Sequence, residues 1–371
     1  MNDRDLAIEQ AKILKALIGI QEVSIILNTF IKAFKKAVLK DDGIFWLHGN
    51  FNIGGTVSGR LSSSGPNLQN IPVNSTYGKL IKTCFAPPDG WLLMGADFWS
   101  LEDRISALTT RDPNKLKVYT DGYDGHCLRA YSYFPDSLPG ITNTVASINS
   151  IEHIFPEIRQ ASKGPTFALT YQGTWHTLVN NLGLPEEEAK QIEKNYHELY
   201  SVSDDWVKDK LEKASRTGFI TGAFGLRLRT PVLGQTLIGR KSTPYQSKKE
   251  GRTAGNMLGQ SWGMLNNRAA IEFQRRVLSS PYSLDIKPIA HIHDSQYFLV
   301  RDQLGCVDWF NKNLTECLAW QQHPDIQDPD VPLGGDCCIY HPNWATEIKL
   351  ENNATKQEIL DICLLQKEDQ P

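Results

Sequence analysis

Two strand-forming segments on either side of a long helical region constrain the fold of this chain most. The run GWLLMGADF (residues 90–98) predicts a buried strand, and the helical pattern SLEDRISALTT (100–110) follows it at once. The segment IAHIHDSQYFLV (289–300) predicts two short strands that meet at a polar turn of His293, Asp294 and Ser295. Residues 112 to about 249 lie between these segments and have mainly helical periodicity. This order predicts an α+β fold in which strand-bearing segments flank a helical insertion.

The other segments carry weaker signals of secondary structure. Apolar residues from about Asp5 to Leu39 recur with helical spacing and predict two amphipathic helices, after which GIFWLHGNFNIGG (43–55) alternates as strands do. Loops are expected at FPDSLPGITNT (134–144) and GAFGLRLRTPVLG (222–234). The stretch from Gly251 to Val277 predicts one further helix.

Composition excludes some functions and allows others. The 371 residues are 40% hydrophobic and 9% aromatic, which suffices for a core in one large domain or two to three modest ones. The net charge of −3 argues against a protein that coats nucleic acid with its whole surface, but it allows a local basic groove. Seven cysteines are an odd number, and the adjacent Cys337 and Cys338 fit no zinc spacing, so we expect reduced thiols. The opening MNDRDLAIEQ lacks a signal-peptide pattern, and we expect no apolar window of membrane-spanning length, hence a soluble cytoplasmic protein.

The stretch RQASKGPTFALTYQG (159–173) places two cations and two aromatic rings at four-residue intervals. On a helix, Arg159, Lys163, Phe167 and Tyr171 would form one slowly drifting stripe. Arginine can hold a polyphosphate by a bidentate fork and lysine as a point charge, while the aromatic rings could lie against a base or a sugar. The alternative is a solvated cationic start followed by an end that faces the core.

Two aspartates occupy the predicted strand ends. Asp97 lies at the end of the buried strand, and Asp294 lies in the turn between the later strands. Rigid strands that deliver two carboxylates suit a two-magnesium site, because hard cations prefer oxygen ligands and paired metals contact both the attacking and the leaving oxygen. Taken alone, a helix cap for Asp97 and a turn residue for Asp294 would explain both positions.

Several motifs in order resemble the polymerase region of family A DNA polymerases, the group that includes bacterial DNA polymerase I and several phage replicases. They are SGRLSSSGPNLQNIP (58–72), DFWSLEDR (97–104), RQASKGPTFALTYQG, RTAGNMLGQ (252–260) and HIHDS (291–295), and the similarity runs from about residue 50 to VPLGGD (331–336). The resemblance implies a right-hand fold: a palm with an antiparallel sheet, helical fingers and a truncated thumb. The implied boundaries are a thumb remnant at 1–50, a palm at 51–110 and 250–371, and fingers at 111–249.

The resemblance also implies an activity and the residues that carry it. The chain would be a template-directed DNA polymerase that adds deoxynucleotides to a primer 3′ end, with Asp97 and Asp294 as ligands of two Mg²⁺ ions. The implied contacts to the triphosphate come from His126, Arg159 and Lys163, and Lys163 is also implied to be catalytic. Phe167 would pack on the sugar and base, and Tyr171 would hold the template-side stacking position. Glu102 would also contact the deoxynucleoside triphosphate and would crowd its sugar 2′ position. A nucleoside triphosphate is therefore the implied ligand of the stripe.

A further set of residues is implied to contact primer-template DNA. It comprises Arg60, Asn67, Gln69, Asn70, Arg252, Asn256, Gln260 and His293. The minor groove presents acceptors at similar places for every correct pair, so contacts there can test pair geometry without reading sequence. Basic residues outnumber acidic ones between positions 240 and 276 and predict a phosphate-binding groove, formed by Arg240, Lys241, Lys248, Lys249, Arg252, Arg268, Arg275 and Arg276.

Three departures from the family pattern stand out. Trp99 occupies a place where a small residue is usual, and Ser295 follows Asp294 where a glutamate is common, so a third acidic group is missing there. Gly164 and Pro165 interrupt the predicted helix and predict a kink between its phosphate end and its base end.

Other functions stay open at this point. A single-subunit RNA polymerase shares the two-aspartate chemistry, although Glu102 weighs against it, and an inactive nucleic-acid-binding remnant is a third hypothesis. The short stretch before Arg60 leads us to expect a polymerase without its own proofreading exonuclease, served by a separate polypeptide that carries exonuclease and thumb.

Overall fold

The computed structural model describes residues 3–71, 76–235 and 245–368. Its strands are β1 (Val38–Leu39), β2 (Phe45–Trp46), β3 (Asn50–Asn52), β4 (Ser62–Ser64), β5 (Trp91–Phe98), β6 (Phe219–Thr221), β7 (Arg227–Arg229), β8 (Ile286–Ile292), β9 (Ser295–Arg301), β10 (Gly335–Tyr340) and β11 (Glu347–Leu350). Its helices are α1 (Asp3–Ile25), α2 (Lys32–Phe34), α3 (Thr76–Thr83), α4 (Leu101–Thr110), α5 (Pro113–Thr120), α6 (Gly125–Tyr133), α7 (Val145–Asn149), α8 (Ile151–Ile154), α9 (Pro156–Thr170), α10 (Trp175–Leu182), α11 (Glu186–Leu199), α12 (Ser201–Thr217), α13 (Tyr245–Gln260), α14 (Met264–Leu278), α15 (Leu304–Leu318) and α16 (Lys356–Glu368).

A five-stranded antiparallel sheet joins the two strand-bearing segments. Its order is β11-β10-β5-β9-β8, so β5 from before the helical region pairs with β9 and β10 from after it. One face packs on α14 and α15, where the rings of Phe273, Phe298 and Phe310 are in edge-to-face contact. The other face carries Leu93 and Tyr340 in a second buried cluster. Both faces of β5 are covered, which explains its nearly continuous apolar run. The predicted strands and the α+β class are confirmed.

Helices α5 to α12 form the insertion between β5 and β8, as expected from the periodicity. They contain their own buried clusters, one around Leu178, Ile192 and Tyr200 and another around Cys127 and Ile148. The predicted loop at 222–234 instead contains strand β7, which pairs with β6 in a small antiparallel hairpin. The short strand was missed because three residues carry too little alternation to be recognised.

The predicted single helix from Gly251 to Val277 is wrong in one respect. A short 3₁₀ turn at Ser261–Gly263 separates α13 from α14. A Cβ atom at Gly263 would lie 2.4 Å from Nε of Arg60, so the glycine gives the arginine side chain room to pass. A contact between residues so far apart in sequence leaves no periodic signal.

The N-terminal helix differs from the expected pair of amphipathic helices. Helix α1 continues through a π-helical segment (Ile26–Ile31) into α2, and Ile26 and Phe30 pack beside Trp344. The side chains of Ile13, Leu17 and Ile18 are each more than half exposed. The expectation that no window reaches membrane-spanning length is also wrong, because Ala7–Phe34 is long enough and apolar enough by length and composition. A core helix or a signal sequence can pass the same test, so this is weak grounds for a membrane span.

Candidate active site

Strand pairing brings the two predicted aspartates together. Asp97 is the Cα partner of Ser295 across β5 and β9, and Asp294 lies directly before Ser295 in the turn after β8. His293 adopts a left-handed conformation (φ 53°) that closes this turn. Asp97 keeps solvent contact on its open side, yet the surrounding protein desolvates both carboxyls and raises the pKa of each. Their mutual repulsion raises the pKa of Asp294 further.

Arg60 supplies positive charge to this site. Its Nη2 donates to Oε1 of Glu102 at 2.6 Å and lies 3.5 Å from Oδ1 of Asp294. That Asp294 oxygen is buried and has no hydrogen-bond partner among the residues that the structure describes. A desolvated carboxylate oxygen without a partner is a suitable ligand for a hard cation. No group of three or more His, Cys, Asp or Glu that could hold a metal occurs among residues 3–71, 76–235 and 245–368. Two carboxylates nevertheless fit Mg²⁺, which commonly uses one or two together with substrate phosphates and water.

Two further acidic residues near Asp97 were not predicted. Asp336 on β10 is the other Cα partner of Asp97, and its Oδ2 lies 2.9 Å from Nζ of Lys349. Glu347 repels Asp97 and contributes to the raised pKa of that carboxyl. The VPLGGD motif could have pointed to Asp336, but no sequence rule assigns a cross-strand partner over such a separation.

The residue after Phe98 is accommodated by a glycine on the neighbouring segment. The Trp99 backbone N–H donates to the Gly334 carbonyl at 2.9 Å, and a Cβ atom at Gly334 would lie 2.6 Å from the Trp99 ring. Any larger residue at position 334 would therefore collide with the indole. This contact explains how the chain places a large ring two positions after Asp97.

Helix α4 presents Glu102 between two partners from different parts of the chain. Its Oε1 accepts from Arg60, and its Oε2 accepts a hydrogen bond from the hydroxyl of Tyr171. Burial and the neighbouring carboxylate raise the pKa of Tyr171, so this phenol is a donor at neutral pH. The last residue of the predicted stripe is thereby tied to the helix that follows Asp97.

The cationic end of the stripe is paired with protein carboxylates. Arg159 donates from Nη2 and Nε to the two oxygens of Asp124 at 2.7 and 3.2 Å, and Glu152 lies 3.7 Å away. Burial opposes ionisation of Asp124, but the hydrogen bonds from Arg159 and Cys127 and the positive charge of Arg159 together outweigh it and lower the pKa of Asp124 to about 2. Arg159 is therefore engaged with a protein carboxylate in this structure, a pairing that spacing alone could not assign. Its contact with a triphosphate stays a prediction.

His126 and Lys163 lie beside this pair. Burial and the positive charges of Arg129 and Arg159 lower the pKa of His126, and its Nδ1 is buried with no hydrogen-bond partner within the described ranges. Lys163 makes no salt bridge with any residue of the described ranges. A neutral imidazole and an unpaired ammonium are both able to donate to an incoming anion.

The aromatic end of the stripe is open. Phe167 is 62% exposed and stacks on Tyr171 with ring centroids 6.5 Å apart. Helix α9 continues through Pro165, and Gly164 packs against Leu182; the predicted kink stays a prediction. A cavity of about 400 Å³ adjoins the rings and is lined by Phe167, Ala168, Tyr171, Gln172, Gly173, Thr177, Asn181 and Arg252.

Apart from Arg60, the predicted DNA-contacting residues differ in how far other parts of the protein already engage them. Arg252, Asn256 and Gln260 follow one face of α13, and Oδ1 of Asn256 is buried without a hydrogen-bond partner in the described part of the chain. Asn67 and Gln69 already have structural contacts, since Asn67 caps a short 3₁₀ helix and Gln69 donates to the His291 carbonyl at 3.0 Å. Two other members, Asn70 and His293, are exposed.

Fewer basic residues are available for phosphate contacts in the structure than the sequence predicts, because some of them are engaged with other side chains. Arg268 lies 3.8 Å over the ring of Trp320, and Arg276 is paired with Glu272 and Glu316. The exposed members among the described residues are Lys248, Lys249, Arg252 and Arg275. Arg240 and Lys241 lie outside the described residues.

A family-wide comparison matches DNA polymerase family A over residues 4–345. The thermostable DNA polymerase I of Thermus thermophilus is 32% identical over 225 residues, which is 61% of this chain and 25% of that protein. DNA polymerase I of Rhizobium leguminosarum is 28% identical over 258 residues, covering 69% of this chain and 24% of its own. This chain thus spans about a quarter of the length of these relatives.

A solved structure is also similar. It is the POL domain of Pol1 from M. smegmatis in complex with DNA primer-template and dNTP, with a TM-score of 0.69 and 25% sequence identity. The match covers 85% of this chain and 51% of that chain.

Proposed function

The chain belongs to DNA polymerase family A, and on that premise we propose that it is a template-directed DNA polymerase that extends a primer 3′ end with deoxynucleotides. The observation that supports this most is the pair Asp97 and Asp294, which two neighbouring strands bring together opposite Glu102 and Arg60. The proposed division is a palm at 51–110 and 250–371, fingers at 111–249 and a thumb remnant at 1–50. The proposed partners are primer-template DNA and deoxynucleoside triphosphates in a bacterial or phage-infected cytoplasm.

The metal-binding residues of the proposal are the two strand-end carboxylates. Asp97 and Asp294 would hold two Mg²⁺ ions, which when bound neutralise phosphate charge and lower the pKa of the primer hydroxyl. Desolvation raises the pKa of both carboxyls, which means that their ionised forms are destabilised. A cation bound between them would offset this destabilisation. Ser295 supplies no third carboxylate, and Asp336 is engaged with Lys349.

The proposed nucleotide site follows helix α9. Lys163, which makes no salt bridge in the described part of the chain, is the proposed cation for the triphosphate, His126 donates from a neutral ring, and Arg159 exchanges Asp124 for phosphate oxygens. Phe167 packs on the incoming sugar and base, and Tyr171 holds the template-side stacking position beside the 400 Å³ cavity. The competition between Asp124 and phosphate for one guanidinium makes anion binding at Arg159 an exchange of partners rather than a new contact.

The proposed duplex contacts lie on α13 and the segment before the sheet. Arg60, Arg252, Asn256 and Gln260 would reach the minor groove, and Asn67, Gln69, Asn70 and His293 would line the primer side. The exposed Lys248, Lys249 and Arg275 would contribute phosphate contacts, which make binding salt-dependent.

Primer extension tests the proposed activity. Purified protein with Mg²⁺ and a primer-template should add deoxynucleotides in the order that the template dictates and should add none without template. Preferential use of ribonucleotides would favour the RNA polymerase alternative. Duplex binding without extension under any nucleotide and metal condition would favour the inactive remnant.

Shortening Glu102 is expected to admit ribonucleotides. The proposed barrier at the sugar 2′ position is steric, so Glu102→Ala should raise the ratio of ribonucleotide to deoxynucleotide incorporation by about tenfold or more. Competition between the two nucleotides on one template measures that ratio. Glu102→Gln is the control, because it keeps the volume but loses the charge that Arg60 contacts. If the alanine variant keeps the wild-type ratio, Glu102 is not the gate.

Helix α1 suggests a partner for the proposed enzyme. Its exposed Ile13, Leu14, Leu17 and Ile18 lie beyond the part that packs on the sheet. We propose that a separate polypeptide with thumb and exonuclease functions covers them and supplies further duplex contacts. The chain alone should then yield short products in single-encounter extension at physiological salt, because it makes few phosphate contacts. Long single-encounter products, or degradation of a mismatched primer 3′ end by the chain alone, would contradict this.

A further inference from the structure

An ion pair between a buried arginine and a half-exposed aspartate of α4 was not part of the predicted site. Arg129 on α6 is 6% exposed, and its Nη2 donates to Oδ2 of Asp103 at 2.9 Å. Its Nε donates to the hydroxyl of Tyr200 at 3.0 Å. Asp103 is the residue after Glu102, so one helix carries the proposed sugar gate and the partner of this buried cation on adjacent positions.

The same face of α4 makes further contacts with the helical region. Asp103, Ser106 and Thr110 are spaced by three and four residues and therefore lie on one side of the helix. Nζ of Lys115 donates to Ser106 at 2.7 Å and lies 4.9 Å over the ring of Tyr200. Thr110 lies 2.9 Å from the hydroxyl of Ser203 on α12. Asp103 thus supplies the contact at the first turn of α4, and the others fix its later turns.

The charge of Arg129 fixes the position of the Asp103 carboxylate in the first of these contacts. Asp103 is the one carboxylate in salt-bridge distance of Arg129 among the described residues, and it is half exposed while the arginine is buried. A buried guanidinium without a counter-charge is costly, so the Asp103 carboxylate is drawn to one position. The position of Asp103 also determines that of Glu102. The two residues lie about 100° apart on one helix, so any rotation of the helix about its axis moves both of them.

We infer that Arg129 and Asp103 are positioning residues for Glu102: the pair helps to set the rotation of α4 and so keeps the Glu102 carboxylate between Arg60 and Tyr171. Neither residue is among the proposed nucleotide contacts. Without the pair, the first turn of α4 keeps the core packing of Leu101 and the hydrogen bond from Arg104 to the Pro332 carbonyl, but it loses its charged contact with α6, and the Glu102 carboxylate can withdraw from the sugar position. This inference rests on the proposed function, since it assigns a source of sugar selectivity to residues outside the nucleotide site.

The test compares Asp103→Asn with Asp103→Glu, which keeps the charge, and with Asp285→Asn, which weakens the Asp285–Arg301 pair far from α4. Two quantities are measured on each purified chain: the ratio of ribonucleotide to deoxynucleotide incorporation, and hydrogen exchange of the amides of residues 101–110. Asp103→Asn should raise the ratio several-fold and speed exchange in α4. Asp103→Glu and Asp285→Asn should keep both near wild type. An unchanged ratio for an active Asp103→Asn enzyme overturns the inference.

Two further arms keep the result interpretable. If Asp103→Asn does not fold, Asp103→Asn combined with Arg129→Gln removes both charges together, and it should show the same increase in the ratio. If wild type incorporates no nucleotide, the proposed function fails, and exchange alone decides the positioning role: α4 amides that exchange at the wild-type rate in Asp103→Asn overturn it.

Discussion

Asp97→Ala and Asp294→Ala are each expected to abolish nucleotide incorporation while duplex binding stays largely intact. The two carboxylates are the proposed metal ligands, and a bound metal contributes several kcal/mol of transition-state stabilisation, so the rate should fall by about a thousandfold or more. Duplex affinity should change little, because neither aspartate is among the proposed DNA contacts. Single-turnover primer extension measures the first effect, and a filter-binding titration of the same primer-template measures the second.

Asp336→Asn is the matched control for these variants. Asp336 faces Asp97 from the next strand, on the same side of the sheet, but its carboxylate is held by Lys349. It should therefore keep most of the wild-type rate. Substantial extension by either alanine variant would refute the metal assignment. Loss of activity in Asp336→Asn would show that pairing with Lys349 does not separate the role of Asp336 from that of Asp97.

Phe167→Tyr is expected to remove discrimination against dideoxynucleotides. Phe167 is exposed and lies on the proposed nucleotide side of α9, but it has no hydroxyl to replace the hydrogen bond that a dideoxy sugar lacks. A tyrosine supplies one, and a hydrogen bond to a charged group contributes about 1.5–3 kcal/mol, which is about a tenfold to hundredfold change in selectivity. The ratio of dideoxynucleotide to deoxynucleotide incorporation at one template position measures the change.

Phe224→Tyr is the control for the added hydroxyl. Phe224 is another exposed phenylalanine of the helical region, but it packs against Trp262 and Trp320, away from α9. It should terminate chains as wild type does. Equal termination by wild type and Phe167→Tyr would place Phe167 away from the sugar.

The local patterns of the sequence were sufficient for the elements that carry the proposed metal site. A run of apolar residues defines β5, and the alternation in IAHIHDSQYFLV defines β8, β9 and their turn, so the positions of Asp97 and Asp294 at strand ends followed from neighbouring residues alone. Helix α9 and its stripe of residues could also be predicted from local sequence, because helical spacing is visible within a short stretch of residues. The roles of these residues came from resemblance to a family and stay predictions.

Tertiary structure alone decided which charges meet. Arg159 is paired with Asp124, Asp97 faces Asp336, and Arg129 is buried against Asp103, although no spacing in the sequence relates the members of these pairs. The approach of Arg60 to Gly263, at the turn between α13 and α14, likewise joins residues that are distant along the chain. Periodicity reports which face of an element is apolar, whereas the partner of a charge depends on how whole elements pack, and that packing brings together residues that are distant along the chain.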